Sequence, residues 1–273
     1  MQKKNLPTID QTPRPQRSLV LNTRAQRQTE RFFRATMDKV EDFKLRGFLE
    51  RHGVSERLRA KMLDWMVEVL TIYSQGTKTI FRAVWLLDLF LAKSSRRVEA
   101  GQVHLLGLAC LMIASKQEEV AIIKTKTFSK EIAYGKYSES QLRAAEVEIL
   151  LAIDFRVQFP TLYELGRCAF RYVSFAERRL QKFFEESCLL ILQMSLFSKD
   201  ILENYSYNEL VGMSMILILK ILESMSSRNP IRKYIKLVVK LLRLEKKTLK
   251  TKLSILKNYA LDFDQVFPYV KNL

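Results

Sequence analysis

The sequence predicts an all-α protein made of two tandem bundles of five helices, preceded by a helix and a short disordered tail. The composition is typical of a globular protein, with 48% hydrophobic and 27% charged residues. Only eight glycines and six prolines occur in 273 residues, which leaves few positions for the tight turns of a large β fold. Long stretches rich in Leu, Lys, Glu, Ala and Arg instead show helical periodicity, and the length suffices for two domains.

The N-terminal region divides into a tail and a helix. Residues 1–28 are basic and contain three of the six prolines, so we expect a disordered tail there. Residues 29–52 are predicted to hold an N-terminal helix. Its apolar face consists of Phe32, Phe33, Val40 and Phe43. Gly53 and Ser55 then interrupt the helical pattern, and a new domain is expected to begin at this point.

Residues 53–158 are predicted to form the first bundle. Ser55 is a good N-cap residue, and Ser138 with Gln141 has the pattern of a capping box at the start of the last helix. The third helix is rich in small residues, which would let its neighbours approach closely, as a central helix requires. The five helices are expected at about 56–74, 78–93, 103–116, 126–134 and 139–153.

Residues 159–273 are predicted to form the second bundle. Pro160 disfavours helix at Phe159 and therefore marks the boundary. The most apolar window, Leu210–Leu222, is too short to span a membrane and is interpreted as a buried core helix, so no membrane association is expected. The helices of this half are expected at about 176–197, 200–205, 207–225, 230–243 and 246–259.

The first helix of the first bundle has apolar side chains on two faces. Each face follows the spacing of three and four residues that places side chains in one line along a helix. The two stripes are Leu63, Met66, Val67 and Leu70, and Leu58, Met62, Trp65 and Val69. A surface helix needs only one such stripe for the core, so the second is expected to face something else.

Two strings carry a resemblance to a known family. LRAKMLDWMVE at Leu58–Glu68 and ASKQEE at Ala114–Glu119 together resemble the N-terminal cyclin box of A- and B-type cyclins. The resemblance implies two tandem five-helix cyclin boxes. It also implies a regulatory subunit that binds and activates a cyclin-dependent Ser/Thr protein kinase as a heterodimer, rather than an enzyme, and that needs no cofactor. Control of the cell cycle at G2/M, in the nucleus and the cytoplasm, is a further expectation from this resemblance.

The resemblance assigns roles to individual residues of the first box. Arg59 matches a family arginine that pairs with an aspartate of the second helix, here Asp88, and Leu105 matches a leucine near the start of the third. These three residues are expected to brace the box. The residues expected to contact the kinase are Lys116, Glu146 and Glu119.

The same family carries a docking groove for substrates with an RxL string. Its positions here would be Leu58, Met62, Trp65, Glu68 and His104. Trp65 can form an aromatic floor, and Glu68 can pair with the arginine of the ligand. Lys61 departs from the family pattern, because an apolar residue is usual there, and a cation should repel a basic peptide. RxL-containing substrates are therefore an open expectation.

The net charge of +17 supports a different reading of the same fold. The segment 231–252 is strongly basic, and such a face is typical of proteins that bind polyanions. The alternative is thus a cyclin-fold transcription factor, or a cyclin of a transcriptional kinase, that binds DNA or the transcription machinery. The acidic Gln117–Glu119 turn argues against DNA, and nucleic acid is not an expected partner.

Catalytic and metal sites are not expected. The sequence has no Gly-rich phosphate loop or nucleophile motif, and its two histidines, His52 and His104, have no recognisable catalytic partners. The three cysteines are scattered through apolar stretches without a CxxC pair, which predicts buried, reduced thiols rather than disulfides or a zinc site.

Overall fold

A computed structural model describes residues 31, 33–38, 47–225 and 231–273 of the chain. Within these residues the regular secondary structure is helical throughout, without strands. The expected tail at 1–28 lies outside the described residues, as does much of the predicted N-terminal helix. Residues 33–38 of that helix are helical, and Phe33 and Met37 are buried in the core.

The first bundle has the five helices expected from the sequence. Ser55 begins α1 by accepting a hydrogen bond from Leu58 N at 3.2 Å. A reciprocal capping box of Ser138 and Gln141 begins α5. The helices are α1 (Glu56–Ile72), α2 (Thr77–Lys93), α3 (Val103–Glu118), α4 (Thr125–Thr127, continued by a π-helical turn at Phe128–Ile132) and α5 (Glu139–Ala152).

Helix α3 is the centre of this bundle and packs against α1, α2 and α5. Its small residues make this possible, as Gly107 shows. A Cβ atom at Gly107 would lie 2.1 Å from Cε of Met62, so the glycine lets α1 approach α3 closely. Met62 is buried by this contact.

The second bundle differs from the prediction at its start. The predicted series began at 176, but the structure has an earlier helix, α6 (Leu162–Phe170), directly after Pro160. Thr161 and Glu164 form a capping box at its N-terminus, a sequence signal that the prediction missed. The remaining helices are α7 (Arg178–Ser195), α8 (Lys199–Asn204), α9 (Tyr207–Met225), α10 (Ile231–Leu241), α11 (Lys246–Leu261) and α12 (Phe263–Val266).

Helix α9 is the centre of the second bundle, because α6, α7, α10 and α11 all pack against it. The short α8 confirms the second helix predicted for this half, and its Ile201 and Leu202 are buried. No helix among the described residues has both the length and the apolar character needed to cross a membrane.

Two buried arginines of the first bundle join it to the second. Nη1 of Arg59 donates to the carbonyl oxygen of Leu196 at 2.8 Å. Arg82 on α2 donates to Glu118 of α3 at 2.7 Å and to Glu164 of α6 at 2.9 Å. Lys78 extends this network with contacts of 2.6 Å to Glu118 and 3.2 Å to Glu164. Charged hydrogen bonds therefore hold the two bundles in register.

Candidate functional site

Lys116 and Glu146 form an ion pair on the surface of the first bundle. Nζ of Lys116, in the last turn of α3, lies 2.7 and 2.8 Å from the two carboxylate oxygens of Glu146, in the middle of α5. The Lys116 side chain is 39% exposed and that of Glu146 is 16% exposed. Each group keeps hydrogen-bonding capacity after pairing, so together they can donate to a carbonyl and accept from an N–H of a partner backbone.

The local sequence places this pair where two helices meet. Helix α5 turns Leu142, Ala145 and Ile149 into the core, at a spacing of three and four residues. Glu146 follows Ala145 directly and therefore lies at the edge of the α3–α5 contact. Lys116 lies just beyond the buried Ala114 and Ser115 of α3. Both side chains are thus presented by rigid helices rather than by loops.

Glu119 has a contact within the protein. Its carboxylate accepts hydrogen bonds from Gly76 N at 2.7 Å and from Thr79 Oγ1, at the N-terminus of α2. A carboxylate at a helix N-terminus satisfies amide groups that have no partner within the helix. The structure therefore brings Lys116 and Glu146 together, but it uses Glu119 to cap α2.

Exposed apolar side chains lie on α5 and just after the C-terminal ends of α3 and α5. On α5, Val147 and Leu151 form a second apolar stripe and are 53% and 60% exposed. Three more exposed apolar residues follow the ends of α3 and α5. These are Val120, Ile122 and Phe155. Exposed apolar clusters of this kind mark interaction surfaces. Sequence reasoning missed them, although the two stripes of α5 were readable in the sequence.

The predicted contact between Arg59 and Asp88 is present inside the box. Nε and Nη2 of Arg59 donate to the two carboxylate oxygens of Asp88 at 2.6 and 2.5 Å. Burial raises the pKa of the Asp88 carboxyl, and the charge and hydrogen bonds of Arg59 oppose that rise. Leu105 is partly buried and packs against the core.

The positions of the expected docking groove lie along α1 and the start of α3. The ring of Trp65 packs on that of His104, with centroids 4.9 Å apart, and His104 in turn packs on Tyr137 at 5.6 Å. Met62 is buried, Leu58 and Trp65 are half-buried, and Glu68 is exposed.

The second apolar stripe of α1 was predicted to face something outside the core, but half of it is buried. Met62 and Val69 of this stripe are buried. The approach that Gly107 allows covers Met62 with α3. Within this stripe, only Leu58 and Trp65 keep partial exposure.

The environment of His104 bears on the charge of the groove. Burial and the nearby charge of Lys136 lower the pKa of His104, which is therefore neutral at neutral pH.

The C-terminal segment packs beside the same helix. Nζ of Lys61 lies 5.8 Å from the ring centroid of Tyr269 in this segment. Asp64 anchors the same segment by accepting hydrogen bonds from the backbone N–H groups of Lys271 and Asn272 at 3.0 and 2.9 Å. Sequence reasoning did not foresee this contact.

The cysteines are free and buried, as the sequence predicted. Burial raises the pKa of each thiol, so the nucleophilic thiolate form is suppressed at neutral pH. In the part of the chain that the structure describes, no cluster of His, Cys, Asp and Glu residues is arranged to hold a metal ion.

Comparison with known proteins decides the family. The cyclin N-terminal domain family matches residues 31–158, which contain the Lys116–Glu146 pair and the Arg59–Asp88 pair. Cyclin-A2-3 of Arabidopsis thaliana is 33% identical over 116 residues, which cover 42% of this chain and 25% of the relative. Residues 31–158 therefore belong to the cyclin N-terminal domain family.

Other relatives include cyclins named for different phases. The G2/mitotic-specific cyclin-B of Patiria pectinifera is 30% identical to this chain over 130 residues, covering 47% of the chain and 32% of the relative. The G1/S-specific cyclin-E of Drosophila melanogaster is 32% identical over 120 residues, covering 43% and 17%. The matched regions span less than a third of each of these three relatives.

The similarity of fold to a solved structure extends over both bundles. A viral cyclin from herpesvirus saimiri superimposes with a TM-score of 0.65, covering 89% of this chain and 98% of the viral chain. Sequence identity to it is only 14%, so the similarity concerns the fold alone. It supports the two-bundle, all-α architecture that the sequence predicts.

Proposed function

We propose that this cyclin binds a cyclin-dependent Ser/Thr protein kinase as a heterodimer and activates it, without catalysis of its own. The observation that carries the proposal is the Lys116–Glu146 pair, held at 2.7 Å between two rigid helices beside exposed apolar residues. A surface with a polar pair and an apolar surround suits a partner helix better than the phosphate backbone of DNA, which would meet the acidic end of α3. We therefore prefer a kinase partner to the transcription-factor alternative.

The proposed mechanism is selection of one kinase conformation. A protein kinase is active when the glutamate of its C-helix pairs with the lysine that contacts ATP. The α3–α5 surface would bind this helix only in its inward position, with Lys116 and Glu146 bonding to main-chain groups. Shifting a 1:99 equilibrium to 99:1 requires about 5.5 kcal/mol of differential affinity. An interface well above about 1,000 Å² can supply that difference.

The test is phosphate transfer to a histone substrate by purified kinase, by this cyclin, and by both together. We expect activity only from the mixture, at least about a hundredfold above the kinase alone. Candidate kinases would be identified by co-purification from lysate. Activity of the cyclin alone would contradict the proposal, as would a bound kinase that gains no activity.

A matched pair of variants tests the site itself. Lys116→Ala with Glu146→Ala should weaken kinase binding by about 30-fold or more while the protein stays folded, because the loss of a central, paired interface charge costs about 2–5 kcal/mol. The control is Glu139→Ala with Arg143→Ala, which removes another exposed ion pair from the same helix. Calorimetry showing equal affinity for both variants would exclude Lys116 and Glu146 as contacts.

We further propose that this cyclin acts at G2/M, in the nucleus and the cytoplasm. The similarity to a cyclin-B described as G2/mitotic-specific supports this timing. Arrest of synchronised cells before mitosis on depletion, with the protein detected in both compartments, is the expected result. Arrest before DNA replication would instead assign the protein to G1/S.

A further inference from the structure

The second bundle contains a groove that the proposed kinase contact does not use. It has a volume of about 470 Å³ and lies between α9 and α11, with Ile191 of α7 in its lining. Its floor is aliphatic and includes Leu217 and Leu253. Ile221 at its rim is 47% exposed and Leu261 is 70% exposed. Solvent-accessible apolar side chains in a concave surface are a feature of protein docking sites.

Three lysines line the groove together with these apolar residues. Lys250 and Lys257 are seven residues apart on α11 and so share one face, while Lys220 approaches from α9. All three are exposed, and within the described part of the chain none makes an ion pair. The described lining includes two serines, Ser224 and Ser254, and no acidic residue. The groove therefore presents uncompensated positive charge around an apolar floor.

The positive charge and the apolar floor of the groove together indicate which kind of molecule could bind in it. The chain's own N-terminal residues are basic and would be repelled, and so would a second copy of a chain with a net charge of +17. The lysines could contact the phosphates of a nucleic acid, but the described lining offers no aromatic ring on which a base could stack, because its apolar side chains are all aliphatic. An acidic peptide with apolar side chains complements both features.

We propose that this groove binds an acidic amphipathic helix of a partner protein. Its apolar stripe would lie on Leu217, Ile221 and Leu253, and its Asp and Glu side chains would pair with the three lysines. The stretch of α11 from Lys250 to Leu261 is about 16 Å long, which matches roughly three turns of a bound helix. The proposal goes beyond kinase activation, because the groove lies in the second bundle and shares no residue with the α3–α5 surface.

The experiment is selection from a displayed library of 16-residue peptides against the full chain. We expect enriched sequences with Asp or Glu flanking Leu, Ile or Phe at helical spacing. Binding of the enriched peptides is then measured by fluorescence anisotropy with two charge-matched variants. The groove variant is Lys220→Glu, Lys250→Glu and Lys257→Glu. The control variant is Lys236→Glu, Lys240→Glu and Lys247→Glu, which are exposed lysines outside the groove.

The two variants carry the same net charge, so general attraction to a basic protein affects them equally. The groove variant should bind the peptides at least tenfold more weakly than the parent, and the control variant within about threefold. Ile221→Ser should weaken binding even at high salt, where electrostatic attraction is screened. Failure to enrich any peptide, or equal binding by both variants, would overturn the proposal. The proposal would also be overturned if the groove variant lost binding to an oligonucleotide or to anionic vesicles while no peptide distinguished the groove variant from the control variant.

Discussion

Arg59 and Asp88 form a two-point ion pair in the interior of the first bundle, with N···O distances of 2.6 and 2.5 Å. The third nitrogen of the same guanidinium donates to the carbonyl oxygen of Leu196 at 2.8 Å, in the second bundle. Arg59 is completely buried. One side chain therefore fixes how α1 meets α2 and how the two bundles meet each other.

Removing either partner of this pair should strongly destabilise the protein. Arg59→Ala or Asp88→Ala leaves a buried charge without compensation, which costs about 3–5 kcal/mol. The double variant should be less destabilised than the sum of the two, with a coupling energy above about 1 kcal/mol measured by urea unfolding.

The exposed pair Arg97 and Glu99 provides the control for this double-mutant cycle, because both side chains are about two-thirds exposed. Its coupling energy should not exceed about 1 kcal/mol. Strictly additive effects at Arg59 and Asp88 would show that the two side chains do not interact in solution.

Glu164 should make the stability of the protein depend on pH. Burial opposes ionisation of Glu164, but hydrogen bonds from Thr161 and the charges of Arg82 and Lys78 outweigh it and lower the pKa of the carboxyl below its usual 4.5. A lowered folded pKa stabilises the protein above the unfolded value, and this contribution is lost as the pH falls through the folded value.

The effect of Glu164→Gln should therefore vary with pH. The substitution should cost about 1–2 kcal/mol of stability near pH 7 and progressively less as the pH falls below the usual Glu pKa. Thermal unfolding of both proteins across this pH range measures the cost. The control is Glu186→Gln, a largely exposed residue, for which the change in stability should be small. A constant cost of Glu164→Gln from pH 7 to pH 3 would contradict the assigned network.

The exposed stripe of α5 should contribute to kinase binding. Val147→Ser with Leu151→Ser removes apolar area from the proposed interface and should weaken the complex by about 10- to 100-fold. The melting temperature should change little, because more than half of each side chain is already exposed. Leu190→Ser with Ile255→Ser, exposed residues of the second bundle, is the matched control. Equal kinase affinity in both double variants would remove α5 from the interface.

Lys61 should govern whether the α1 groove accepts an RxL peptide. Lys61→Ile removes an exposed cation beside Leu58 and Trp65 and should tighten binding by about two- to fivefold in a fluorescence titration, the range expected for one surface charge. Lys93→Ile, at the end of α2, is the control and should have no effect. Undetectable binding by the parent and by Lys61→Ile alike would show that this groove does not serve RxL substrates.

The helices of the first bundle were predictable because their signals are local. Ser55 and Ser138 begin helices by accepting hydrogen bonds from amide groups three residues away, and such contacts depend only on neighbouring sequence. The start of the second bundle is also encoded locally, in the capping box of Thr161 and Glu164. The prediction missed this helix start because Pro160 is the stronger boundary signal.

The candidate site was predictable only in part. Lys116 and Glu146 could be named from the sequence, but their mutual contact across 30 residues required the packing of α5 on α3. Glu119 shows the opposite case. The family resemblance assigned it to the kinase contact, whereas the fold places the N-terminus of α2 within its reach.

By itself, the sequence determined the all-α class and the helical register of the first bundle, because periodicity and capping act over three to eight residues. Only the tertiary structure decided which partners those residues meet. Arg59 reaches Leu196, 137 positions away, and the lysines of α9 and α11 surround one groove. Such contacts depend on the relative placement of whole helices, which the packing of many side chains determines together.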